Sequence, residues 1–207
     1  MDFDLGKEAL KTSQSYVNNK MQKVSFKHFR PYFNIDNQYL YKKIILIIFP
    51  YNTSIWESHD SSIANPDLYI PLSSLATYIL LKCFFFGLQN AFQPEKIGIL
   101  FTRTVFLEIF LFFITSISTY ILGIKTGYIE SICYSGYKYF VILCIHLCGI
   151  RWIKFLFRIY MYVSFFFFLS RCLKKTVLGE SSLNRTRKIY FLFGYVGIQT
   201  LLIFLLS

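Results

Sequence analysis

Residues 104–122 read TVFLEIFLFFITSISTYIL, nineteen positions with one charged side chain, Glu108. A helix needs roughly 20 apolar residues to cross a hydrocarbon layer of about 30 Å. In lipid an open hairpin of strands would leave its backbone donors unsatisfied, so a run of this kind predicts a transmembrane helix. Working outward, comparable runs occupy residues 71–88, 132–150, 152–170 and 189–206. The first carries Lys82, has Pro71 in its first turn and ends near Gly87. Only Gly149-Ile150-Arg151 marks the junction of the third and fourth, so these two form a very tight helical hairpin or one of them is broken or re-entrant. The expected architecture is an all-α membrane protein: a cytosolic N-terminal region over residues 1–70 and a domain of five transmembrane helices over residues 71–207.

Composition agrees. Of 207 residues 55% are hydrophobic and only 16% charged, more apolar surface than a soluble monomer of this size could hide. The net charge of +11 would by itself suggest nucleic acid, but the basic residues flank the apolar runs, where they meet lipid headgroups, and form no compact stripe with base-stacking aromatics. Nucleic-acid binding is therefore not expected. Five cysteines, Cys83, Cys133, Cys144, Cys148 and Cys172, are an odd number scattered on or beside apolar segments, which argues against a secreted disulfide framework. The first seventy residues contain no early apolar signal-peptide core, so the amino terminus is expected to stay cytosolic.

Orientation follows from the bases between spans. With a cytosolic amino terminus, that side receives eight from the leader, Lys125 from the second loop, and Arg171, Lys174, Lys175, Arg185, Arg187 and Lys188 from the fourth, fifteen in all. The other side receives four: Lys96, Arg103, Arg151 and Lys154. Fifteen against four is a strong positive-inside signal and places the carboxyl terminus in the lumen. The two glycosylation sequons, at Asn52 and Asn184, fall on the cytosolic side and are expected to be unused. Ahead of the first span, residues 39–49 read YLYKKIILIIF, about half a spanning length. The segment either lies amphipathically in the cytosolic interface with Lys42 and Lys43 toward phosphates, or is a buried helix or strand of a small cytosolic subdomain.

Several stretches occur together and in order: YFNIDNQYLYKKIILIIFP at 32–50, NPDLYIPLSSLATYIL at 65–80, GLQNAFQPEKIG at 87–98, SGYKY at 135–139 and RKIYFLF at 187–193. By these the chain resembles the Yif family, the Yip-interacting factor branch of the Yip superfamily of early secretory membrane proteins. The resemblance spans nearly everything after about residue 30. It implies five transmembrane helices, a cytosolic amino terminus and a luminal carboxyl terminus. It also implies residence in endoplasmic reticulum and Golgi, a Yip-type membrane partner, contact with Rab-type GTPases and vesicle coat components, and a role in ER-to-Golgi vesicle transport. The leader departs from many relatives in lacking a long Pro/Gln-rich extension, which makes transfer of the Rab contact weaker than transfer of the topology.

Charged groups at membrane depth cost roughly 2.5 to 3.5 kcal/mol each on insertion scales, so Lys82, Glu108, Lys138 and Arg158 need partners or an escape to the interface. One expectation pairs Glu108 with Arg158 or Lys82. The other lets the bases snorkel and leaves Glu108 at the membrane edge with Arg103 and Thr104. Asp67, Leu68, Tyr69 and Pro71 are the partner-binding candidates, although Asp67 and Tyr69 could equally cap and anchor the first helix. Arg171, Lys174, Lys175, Arg185, Arg187 and Lys188 are candidates for contact with acidic membrane lipid, and topology alone also explains them. Cys172, beside Arg171, is a palmitoylation candidate or an ordinary thiol.

Cys144 and Cys148 share a helical face from which His146 points away, so packing explains them better than a metal, and neither metal nor cofactor is expected. No nucleophile elbow, HExxH or Walker A motif is present, and His28 and His59 stand alone. The expected function is therefore non-catalytic. The alternatives are a small polytopic transporter or channel lined by Lys82, Glu108 and Arg158, or a lipid-shaping protein. The five spans lack the paired Gly/Pro-broken repeats of many transporters.

Overall fold

A computed structural model describes residues 32–33, 35–51, 65–89, 92–124, 126–148, 151–178 and 185–207, with the side chains of residues 151–154 and 175 excepted. Both sequon asparagines, His28, His59, and Gly149 and Ile150 lie outside the described residues. The chain clusters into two units, Met1–Ile35 and Asp36–Ser207, and every element below belongs to the second. Its helices are α1 (Asn37–Ile48), α2 (Tyr69–Leu88), α3 (Pro94–Ile121), α4 (Tyr128–Leu147), α5 (Arg151–Leu178) and α6 (Arg185–Leu206).

Four helices are long and apolar enough to cross a membrane: Tyr69–Leu88, Pro94–Ile121, Phe155–Leu178 and Arg185–Leu206. Helix α4 has the length, about 30 Å for 20 residues. It falls short in composition, because Glu130, Lys138, His146 and four tyrosines interrupt its apolar positions. All five long helices start ahead of the expected spans, and α3 and α5 outrun theirs the most. Helix α3 starts at Pro94 instead of 104, with proline at its first turn and Glu95 against the positive end of the helix dipole. Helix α5 continues to Leu178 and so carries Arg171, Lys174 and Lys175 on its last turns. An apolar run marks where lipid would be, whereas a helix continues until its backbone hydrogen bonds are capped.

The cap of α3 shows how. Gly123 takes φ +62°, the left-handed region that favours glycine. There its N–H donates to the Tyr120 carbonyl at 3.1 Å and the Ile124 N–H reaches back to the Thr119 carbonyl at 2.9 Å. That pair of bonds is a Schellman motif, and it ends α3.

Side-chain pairs fix the directions of the long helices. Along α2 and α4, Pro71 meets Gly136, Tyr78 meets Tyr139 and Lys82 meets His146, so the two run parallel. Helix α3 is antiparallel to α4, since Glu108 meets Ser135 while Phe112 meets Tyr128. The pairs Tyr137–Phe168 and Tyr134–Thr176 make α5 antiparallel to α4. The pairs Tyr162–Phe204 and Phe166–Phe193 make α6 antiparallel to α5. Helix α4 packs against α2, α3, α5 and α6 and is the hub of the bundle. Helix α5 buries Met161, Ser164, Phe165, Phe168, Leu169 and Cys172 at three- and four-residue spacing, a stripe facing its neighbours.

Of the two placements open for residues 39–49, the structure shows a helix, α1, packed on α5 with Leu46 and Ile47 buried. The expectation that both lysines face phosphates fails at Lys43, which is fully buried, while Lys42 is exposed. The orphan carbonyls at the end of α1 are met by α5. Tyr160 Oη donates to Ile48 O at 2.7 Å, Ser164 Oγ lies 2.8 and 2.7 Å from Ile47 O and Ile48 O, and Arg171 Nη1 donates to Pro50 O at 3.3 Å. A helix end buried without such donors would leave several acceptors unsatisfied.

Candidate functional site

A group of buried polar side chains gathers around one five-residue stretch of α4, Ser135-Gly136-Tyr137-Lys138-Tyr139. Successive helical positions point about 100° apart, so five in a row sweep every side of α4, and here all five have a partner on another element. Ser135 Oγ donates to Glu108 Oε2 at 3.0 Å and Tyr139 Oη donates to Glu108 Oε1 at 2.5 Å. The Lys138 ammonium forms an ion pair with Glu108 and donates to Gln199 Oε1 on α6 at 3.1 Å. Lys138 also lies over the Tyr139 ring, 5.2 Å from its centroid. Gly136 is the contact point with α2: a Cβ on it would stand 2.5 Å from the Pro71 Cβ, so only glycine permits this crossing.

Tyr137 completes the set. Its Oη donates to Asp67 Oδ2 at 2.6 Å and accepts from the Asp67 N–H at 3.1 Å. Asp67 Oδ1 accepts from the Ile70 N–H at 3.0 Å and so caps the first turn of α2. Asp67 also sits 3.6 Å from Lys43 Nζ, which donates to the Asn65 carbonyl at 2.7 Å and lies over the Tyr39 and Tyr137 rings. Burial pushes the Lys43 ammonium below its ordinary value, and the Asp67 charge acts in the opposite direction. One buried carboxylate thus ties α1, the start of α2 and α4 together.

A third contact lies farther along the α2–α4 seam. Lys82 Nζ is 3.0 Å from His146 Nε2, and His146 Nδ1 is 2.9 Å from the Ile142 carbonyl. A carbonyl only accepts, so the imidazole proton belongs on Nδ1 and Nε2 presents a lone pair to the lysine.

These contacts revise the sequence-based pairings. Glu108 goes to Lys138 instead of Arg158 or Lys82: α3 packs against α4 and α2 while Arg158 lies on α5, and Lys82, though on α2, reaches His146. Lys138 does not snorkel: it is fully buried between Glu108 and Gln199. Lys82 turns to His146, so the three residues of the transporter alternative take separate places. Arg158 is partly buried, with an enclosed Nε that has no hydrogen-bond partner among the described residues. Of the partner-binding candidates, Asp67 and Pro71 are buried within the bundle, Leu68 is half-buried and Tyr69 is exposed. Of the lipid-facing bases, Arg171, Lys174, Arg185 and Arg187 are exposed, Lys188 is buried, and the Lys175 side chain lies outside the description. Cys172 is buried, which removes it as an accessible acylation site. Among the described residues no three His, Cys, Asp or Glu side chains come together in a metal-binding group.

Sequence reasoning missed Lys43, Ser135, Gly136, Tyr137, Tyr139 and Gln199. The signal was present in SGYKY, a polar, small and aromatic cluster in the middle of an otherwise apolar segment.

The sequence profile of one family, YIF1, matches residues 1–207. The chain is similar to "Protein transport protein yif1" of Schizosaccharomyces pombe, 33% identical over 100% of this chain and 81% of that protein. It is also similar to "Protein YIF1A" of Danio rerio, 30% identical over 73% of this chain and 54% of that protein. A third relative is "Protein transport protein YIF1" of Saccharomyces cerevisiae, 27% identical over 85% of this chain and 66% of that protein. The chain thus spans about half the length of the zebrafish relative. No solved structure matches.

Proposed function

The chain belongs to the YIF1 family, and from that premise we propose that it is a non-catalytic integral membrane protein of ER-to-Golgi vesicle transport. In this reading it works in complex with a Yip-type membrane partner and with Rab-type GTPases, and coat components meet its cytosolic face. It resides in endoplasmic reticulum and Golgi with a cytosolic amino terminus and a luminal carboxyl terminus.

The observation that carries the reading is the whole-chain likeness to a fission yeast protein named for protein transport. Five crossings are supported by the alternating directions of α2 to α6 and by the cover that four apolar helices give the polar groups of α4. A buried ion pair whose remaining sites are hydrogen-bonded is tolerable at membrane depth, whereas the same groups facing lipid are not.

Gentle detergent extraction from native membranes, followed by affinity isolation of the tagged chain and mass spectrometry, tests the partnership. A second multi-span protein of the Yip type is expected at comparable abundance. Isolation of the chain alone would remove the complex from the proposal. Protease treatment of sealed microsomes is expected to trim a tag at the amino terminus and spare one at the carboxyl terminus, and the reverse pattern would overturn the orientation.

A further inference from the structure

Between the first half of α2, the middle of α3 and the first half of α4 lies a cavity of about 260 Å³. Leu72, Ile109 and Ile132 stand exposed at its rim, so it opens sideways onto the outer apolar face of α3. Leu75, Val105 and Phe112 line it more deeply, and its polar residues are Glu108, Ser135 and Tyr139.

We propose that this notch binds one uncharged membrane lipid of the class that carries a free hydroxyl directly on its hydrocarbon body: a sterol, a ceramide or a diacylglycerol. The inference rests on the membrane reading above. The apolar lining, the proton supply and the charge argue for that occupant.

Apart from Glu108, Ser135 and Tyr139 its lining is apolar, so the notch suits a hydrocarbon group. Its protons are already committed. Tyr139 donates to Glu108 Oε1, and Ser135 Oγ, with its single proton, lies 3.0 Å from both Glu108 Oε2 and Ile132 O. A carboxylate has about four acceptor sites, and Lys138, Tyr139 and Ser135 account for three. Toward the cavity these groups therefore offer lone pairs, and the occupant's polar group has to be a donor. Lys138 cancels the charge of Glu108, so a cationic headgroup would leave an uncompensated charge and a phosphate would face the carboxylate. An uncharged hydroxyl satisfies both conditions.

The test uses the purified full-length chain in phosphatidylcholine vesicles containing trace photoactivatable, clickable sterol, ceramide, diacylglycerol or phosphatidylcholine. One of the three hydroxyl probes is expected to label peptides from residues 105–112 or 132–139, and the arms identify which. The unlabelled form of that lipid should compete about tenfold better than its O-methyl ether, the usual worth of a hydrogen bond to a charged group. Leu72→Trp, at the exposed rim, should abolish labelling without repacking the bundle.

Equal labelling by phosphatidylcholine, equal competition by the ether, undiminished labelling of Leu72→Trp, or cross-linking of these peptides to another polypeptide would each overturn the proposal. An alkaline wash separates the two levels. A chain that stays in the membrane yet fails these tests refutes the lipid site alone, and a chain that is extracted refutes the membrane reading and the site with it.

Discussion

Helices α3 and α4 are neighbours in the chain and in space, and they are built on opposite plans. Helix α3 buries two of its 28 residues, Thr104 and Thr119, and turns Phe106, Phe110, Phe113 and Ile117 outward. Helix α4 buries ten of its 20, among them Tyr137, Lys138 and Tyr139. In water the more apolar helix would be the inner one. Here the apolar helix is outside and the polar one inside, which is the arrangement expected when the surrounding solvent is hydrocarbon and association depends on close packing and interhelical hydrogen bonds.

Mutations can break or sharpen this contrast. The largest effect is expected at the buried ion pair: Glu108→Gln or Lys138→Met alone should cost about 3 to 5 kcal/mol in reversible unfolding from mixed micelles. Glu108→Met combined with Lys138→Met should recover most of that loss, because no unpaired charge remains. If the single changes prove harmless, the polar interior of α4 does not hold the bundle together.

At the helix crossing, Gly136→Ala forces a methyl into Pro71 and should lower stability by about 1 to 3 kcal/mol in the same measurement. Asp67→Asn keeps a cap for α2 but loses the charge opposite Lys43, an expected loss of about 1 to 2 kcal/mol. Ser164→Ala, which strips a donor from the end of α1, should cost about 1 kcal/mol and increase proteolysis near residue 50. The smallest change belongs to the outer face of α3, where Phe106→Leu or Phe113→Leu should stay within about 0.5 kcal/mol. A substantially larger loss there would show that protein, not lipid, covers that face.

The two helices were also unequally legible in the sequence. The run at 104–122 announces a helix by composition alone, because apolar length is a property of one segment. Its true start at Pro94 was not legible, since polar residues beyond the lipid edge can remain helical. Glu108 stood out as a charge needing a partner, yet its partner depended on which helix lies beside α3. Asp67 was noticed as part of DLYIP, and its capping reading proved sound, but Tyr137 and Lys43 answer it from 70 and 24 positions away. No local pattern encodes such distances.

The sequence by itself determined the helical class, the presence of several long apolar segments and the need to neutralise charges within them. Those follow from hydropathy, backbone hydrogen bonding and the energy of an isolated ion, all of which act on single segments. Only the tertiary structure decided that α4 is the hub, that Lys138 answers Glu108, that Lys43 and Cys172 are buried, and that a notch opens between α2 and α3. Each of these depends on which helix faces which, and that is settled by close approach at sites such as Gly136 and Pro71, where a single methyl group separates contact from collision.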